Sequence, residues 1–169
     1  DDVNISEKVV LDLFDGVETD LKEKVTIKSK KDLLVYSYRV AGTVGLMMSK
    51  ILKVENKDSL KGAIDLGIAM QLTNIARDVN EDKNSNREYI DHSFSSIKET
   101  IHNAEIFYKK SFIAISSIPL RSRFSIIVAR RVYRKIGYYV LKKKILKTTI
   151  NQEKYMSLYQ EKFLKLFYQ

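Results

Sequence analysis

Gln71, Asn74, Asp78 and Asp82 stand at successive steps of three, four and four residues. Side chains three and four apart are neighbours on one helix face. An amide, a second amide and two carboxylates therefore line one stripe of a helix. Ile68, Leu72, Ile75 and Val79 form an adjacent apolar stripe that can face a core. Hard divalent cations such as Mg²⁺ take oxygen ligands, usually one or two carboxylates plus substrate phosphate. Asn74, Asp78 and Asp82 supply such ligands, and Arg77 adds a permanent positive charge suited to diphosphate oxygens. The plainer account of acids at this spacing is a solvated helix face. Two features weigh against it. The run LGIAMQL entering the motif is too apolar for a surface helix. Two acids four apart also repel by a few tenths of a kcal/mol, on the order of 0.2–0.5, and Asp78 and Asp82 have no convincing local partner beyond nearby Lys83.

The elements that position this stripe read as helices. Asp1 to Lys24 forms the first, started at Ile5 or Ser6, with Val9, Leu13, Val17 and Leu21 on one face. Val25 to Lys31 reads as a loop. Asp32 is a good N-cap for the next helix, on which Tyr36, Val40, Val44 and Met48 share a face. Beside them lie Ala41, Gly42, Thr43 and Gly45. Glycine inside a helix costs roughly 1 kcal/mol against alanine, so this patch implies close packing, a kink or room for a ligand. By composition alone Leu46, Met47 and Met48 are core. Val54 to Ser59 is a polar connection, Leu60 to Glu81 the motif helix, and Asp82 to Arg87 a loop, with Asp91 to Ser96 continuing the polar stretch. Ile97 to Ser116 is a helix with Ile101, Glu105, Tyr108 and Phe112 near one face. Pro119 ends it. Ser122 to about Ile145 follows, and Glu153 to Gln169 is a last amphipathic helix. His92 and His102 lack partners at metal-ligand spacing and read as surface residues.

With 169 residues, one proline and six glycines, the chain reads as a single all-α domain, residues 1–169, large enough to bury a core. No cysteine is present, which excludes disulfides and thiolate metal sites and is compatible with a cytoplasmic location. No stretch reaches the ~18 uninterrupted apolar residues of a membrane span, and no signal peptide is visible. The chain begins at Asp1 and not Met, as a processed, trimmed or excerpted sequence does. Its formal charge of +9 suits an anionic membrane surface, while no nucleic-acid-binding motif is found. The Lys142 to Lys144 run reads as solvated or membrane-facing.

At this point the residues carry a resemblance. LGIAMQLTNIARDVNED resembles the second aspartate-rich motif of the squalene/phytoene synthase family. YSYRVAGTVGLMMSKIL (36–52) resembles the helix preceding that motif. LFDGVETDL (13–21) is similar to the segment upstream, and residues 104–137 to one downstream in bacterial phytoene synthases. The four pieces occur in family order, and their wording favours phytoene over squalene synthase.

The resemblance implies an all-α helical bundle around a central cavity, an isoprenoid synthase-like fold. It implies head-to-head condensation of two geranylgeranyl diphosphates to phytoene through a cyclopropylcarbinyl diphosphate, a step of carotenoid biosynthesis, with Mg²⁺ or Mn²⁺ as cofactor. Residue by residue it gives Asn74, Asp78 and Asp82 as metal ligands. Gln71, Asn74, Arg77, Asp78 and Tyr133 are its substrate contacts, and Asp78, Asp82 and Tyr36 its catalytic groups. Tyr36 is also among its diphosphate or substrate contacts. Glu81 points off the ligand line and is not assigned. The resemblance turns the small-residue patch into room for isoprenoid tails, with Leu46, Met47 and Met48 as cavity wall. Arg87 and Tyr89 match a flap over the diphosphates, although Ile90-Asp91 replaces the family's leucine-proline and the following connection looks shorter. The family's first aspartate-rich motif is absent, so the N-terminal helices that carry it are expected outside this sequence. Three readings follow: the C-terminal part of a phytoene synthase whose remainder is on another chain or is not included in this sequence, a non-catalytic relative acting as an assembly or isoprenoid-binding factor, or a generic helical interaction domain. Apolar surface facing the absent helices implies association, with such a chain or with a second copy.

Overall fold

The computed structural model describes the backbone of residues 3–167 and the side chains of residues 3–145. The chain folds as α1 (Glu7–Asp20), β1 (Val25–Thr26), α2 (Lys30–Ser37), a π-helical turn (Tyr38–Gly42), α3 (Thr43–Ile51), α4 (Lys57–Asn84), β2 (Arg87–Glu88), α5 (Phe94–Lys110), α6 (Phe112–Ser116) and α7 (Leu120–Phe167). It is an all-α bundle, as the composition implies, and α4 is its axis: α2, the π turn, α3, α5, α6 and α7 all pack on it. Leu72 is fully buried, and Ile68, Ile75 and Val79 are at most 7 % exposed. Each such side chain contributes about 1.5–3 kcal/mol by leaving water.

Local chemistry sets the ends of the elements. Asn56 caps α4 by accepting from the Ser59 amide at 3.0 Å. The helix runs to Asn84, past the expected end at Glu81, so Asp82 is helical. Asn86 then takes a left-handed conformation, φ 58°, which asparagine tolerates. Ser29, not Asp32, caps α2: its Oγ accepts from the Asp32 amide at 3.1 Å and donates to the Asp32 carboxylate at 2.6 Å. Val25 and Thr26 are not loop. They pair in parallel with Arg87 and Glu88, strapping the turn after α1 to the turn after α4.

Three other expectations change. The helix expected to Ser116 breaks at Ser111. The Tyr108 carbonyl accepts from Ser111 Oγ (2.9 Å) and from Arg130 Nη2 (2.7 Å), and Phe112 swings out to 63 % exposure. The helix of α7 is continuous through the expected gap before Glu153. The amphipathic face expected for Glu153 to Gln169 lies outside the described side chains. On α1, Ser6 is the N-cap as expected, but Val17 and Leu21 are exposed, and the buried position is Gly16, against Val40 and Arg39. Gly45 and Gly67 serve close packing: a Cβ would lie 2.3 Å from the Ala63 carbonyl oxygen at Gly45 and 2.2 Å from that of Ala41 at Gly67.

Candidate functional site

An apolar cavity of about 320 Å³ lies between α3, α4, α6 and α7. Val40, Val44, Met48, Met70, Ile115 and Ile126 are among its walls, and Gln71 and Asn74 also line it. Met48 is cavity wall as expected. Leu46 and Met47 instead line a separate small pocket with Asn4, Ile5 and Val9. The polar stripe of α4 therefore begins at the cavity and continues along the helix to Asp78 and Asp82.

Electrostatics distinguish the members of this stripe. Asn74 Oδ1 is buried and has no hydrogen-bond partner among the described residues. A buried carbonyl oxygen left unpaired costs about 1–3 kcal/mol. Asp78 has a local partner after all: Arg77 curls back along its own helix, and Nε and Nη2 each donate to one carboxylate oxygen at 2.6 Å. That pair raises the Arg77 pKa, keeping it charged. The Asp82 carboxyl is pushed above its ordinary range, first by burial and then by the charge of Asp78, with Arg87 pulling it back and Asp20 and Glu81 adding to the rise. Negative charge is thus crowded at this end of α4. An all-oxygen donor set with an orphaned amide oxygen and two crowded carboxylates fits a hard divalent cation. Among the described residues no three His, Asp or Glu side chains converge as a cage, so the α4 stripe offers two carboxylates and an amide.

Tyr36 stands apart from this stripe. The π turn interrupts the face it was expected to share with Val40, Val44 and Met48. Those three line the cavity, while Tyr36, 6 % exposed, turns to Asp20 and Tyr89. Its hydroxyl lies 3.0 and 2.9 Å from the two Asp20 oxygens, and the Tyr89 hydroxyl donates to Asp20 at 2.7 Å. The two rings stack with centroids 4.9 Å apart. Burial is the main cause that raises both phenols, with Tyr89 pushed up to about 12. Arg87 donates to the Asp20 carbonyl oxygen at 3.0 Å. Tyr133, half-buried on α7, lies near enough to Arg77 for their charges to interact.

A family model for squalene/phytoene synthase matches residues 1–93. The chain belongs to the squalene/phytoene synthase family. It is 34% identical over 155 residues to the 15-cis-phytoene synthase of Pantoea ananas, covering 79% of this chain and 50% of that protein. It is 37% identical over 131 residues to the enzyme of Enterobacter agglomerans, covering 65% and 44%. The chain spans about half the length of the curated relatives it matches. The fold agrees. A ligand-bound dehydrosqualene synthase superposes with a TM-score of 0.66 at 26% identity, covering 85% of this chain and 66% of that one. Squalene synthase HpnC from Alicyclobacillus acidocaldarius reaches a TM-score of 0.71 at 15% identity, covering 83% and 61%. The fold of this family member is therefore the isoprenoid synthase fold.

Sequence reasoning missed Asp20, the shared partner of Tyr36 and Tyr89. The signal was present in DLFDGVETD (12–20), where Asp12, Gly16 and Asp20 fall at steps of four on one helix face.

Proposed function

We propose that this chain provides the cavity and one wall of oxygen ligands of a phytoene synthase, which joins two geranylgeranyl diphosphates head to head through a cyclopropylcarbinyl diphosphate. The observation that carries the reading is the continuity of the α4 stripe. Gln71 and Asn74 line an apolar cavity, and Asp78 and Asp82 extend the same face beyond it. Apolar tail and charged head of an isoprenoid diphosphate need that succession.

Asn74, Asp78 and Asp82 are the residues that would hold Mg²⁺ or Mn²⁺. Bound there, the cation supplies stabilisation of charge developing on a departing diphosphate. Arg77 adds a second positive charge for the same oxygens, held in place by Asp78. Gln71 orients the substrate where the cavity turns polar, and Tyr133 closes the head region from α7. Val40, Val44, Met48 and Met70 exclude water from the allylic cation.

Two associations belong to this reading. Phe124, Val128 and Val132 on α7 and Phe14 on α1 are exposed apolar side chains, which supports packing against an N-terminal complementing chain or a second copy. Between Leu120 and Ile145 the chain has nine Lys or Arg and no acid, which supports peripheral binding to an anionic membrane. No helix among the described residues is long and apolar enough to cross a membrane.

The test is product formation from geranylgeranyl diphosphate and Mg²⁺, with the chain alone and with an N-terminal synthase fragment in trans. Phytoene in the mixture is the expected outcome. No product from a verified, folded complex would replace this reading with a non-catalytic assembly or isoprenoid-binding role.

A further inference from the structure

We infer that Asp20 is the positioning residue of Tyr36, a carboxylate that accepts the hydrogen bond of the Tyr36 hydroxyl and so leaves the phenol oxygen only an acceptor toward everything else it meets. Its consequence for turnover rests on the synthase reading above. An ionised carboxylate only accepts, and a phenol has a single proton to give. Both Asp20 oxygens lie within 3.0 Å of the Tyr36 hydroxyl, and Tyr89 donates to the same group at 2.7 Å. The two hydroxyls also approach each other at 3.2 Å. The charge-assisted bond to the carboxylate is the stronger claim on each proton.

The arrangement is built from distant parts of the chain. Asp20 closes α1, Tyr36 lies on α2, and Tyr89 follows β2. The Val25–Arg87 and Thr26–Glu88 pairing and the Arg87 bond to the Asp20 carbonyl hold the three together. Ring stacking fixes the two phenols side by side. A phenol whose proton is committed cannot donate to a diphosphate oxygen. With a carboxylate behind it, its oxygen favours positive charge instead.

Asp20→Asn tests this, because it keeps the shape and removes the charge. The first measurement is the phenolate absorbance of the chain through alkaline pH, with Tyr36→Phe and Tyr89→Phe identifying the pair. Loss of the Asp20 charge lowers the midpoint of the pair, with Arg87 the cation that already pulls Tyr89 the same way. The second is turnover of geranylgeranyl diphosphate in the completed synthase. The expected result is a fall in kcat of about tenfold or more with KM within about twofold, and no further fall when Asp20→Asn is added to Tyr36→Phe. An unchanged phenol midpoint, or an effect on KM alone, overturns the inference. Should Asp20→Asn lose helicity, Asp20→Glu replaces it: the midpoint stays high if charge is what matters and falls if it is not. Asp78→Asn run in parallel separates the two ideas. Full turnover there would remove the synthase reading while the phenol titration still decides the role of Asp20.

Discussion

α4 buries its apolar stripe and leaves its polar stripe half-covered, whereas α1 exposes apolar side chains and commits its acids to a neighbouring helix. On α4, Leu72 and Ile75 are buried on an axis surrounded by other elements. On α1 and at its C-cap, Leu11, Phe14, Val17 and Leu21 are all more than 40 % exposed. Beside the close approach of Gly16 to Val40, it meets α2 and the π turn through polar contacts: Tyr38 donates to Asp12 at 3.1 Å, Arg39 pairs with Asp15 at 3.0 Å, and Tyr36 donates to Asp20. The energies differ accordingly. A buried aliphatic contributes about 1.5–3 kcal/mol, a hydrogen bond about 0.5–1.5, and a surface ion pair about 0–1. A helix enclosed on most sides is held by area. A helix at the edge, packed on one side against the π turn and α3, adds a few directed bonds to a smaller buried area, so it places individual groups without anchoring the core.

The largest expected effect separates the two helices by function. Asp78→Asn on α4 lowers turnover of the completed synthase by on the order of a thousandfold or more, as loss of charge stabilisation at a developing anion does, while circular dichroism shows the helix content unchanged. Turnover at the parent rate would take Asp78 out of the site. Stability gives the next contrast. Ile75→Ala costs about 2–5 kcal/mol in chemical denaturation, whereas Leu21→Ala at 79 % exposure stays within about 0.5 kcal/mol. Equal costs would mean that a partner covers α1 in the measured state. A smaller loss is expected for Tyr38→Phe, about 1 kcal/mol or less, because its bond to Asp12 is only part-buried.

The smallest effect is pH-dependent. The folded Asp82 carboxyl lies above its ordinary value of 3.8. The folded chain therefore binds more proton there than the unfolded chain, and stability falls as pH rises from below 3.8 through the folded value. Asp82→Asn removes that loss. Because Asp82 is partly solvated, the gain in Tm at neutral pH is only about 1–2 °C, and it vanishes below the unfolded value. A lowered Tm at neutral pH would show that Asp82 already has a compensating partner.

The apolar pattern of α4 was legible because the helix is buried along that stripe, where period alone decides orientation. The Gln71–Asn74–Asp78–Asp82 line followed from the same period. The all-α character and the family followed from composition and from ordered motifs. The pattern of α1 held only in part: Val9 and Leu13 are half-buried, but Val17 and Leu21 are exposed, and Gly16 is the residue α1 buries against Val40 and Arg39. The Tyr36 face failed at the π turn, which no side-chain period announces. The pairing of Val25 with Arg87 joins residues too far apart for local propensity to register.

By itself, then, the sequence determined the helices, the axis stripe and the chemistry that stripe can offer, since those depend on spacing within one helix. The tertiary structure alone decided that Asp20, Tyr36 and Tyr89 share one carboxylate and that Gly45 and Gly67 admit a neighbouring backbone. Both depend on which elements come within a few ångströms of one another, and that distance is set by packing between segments and not by the pattern along any one of them.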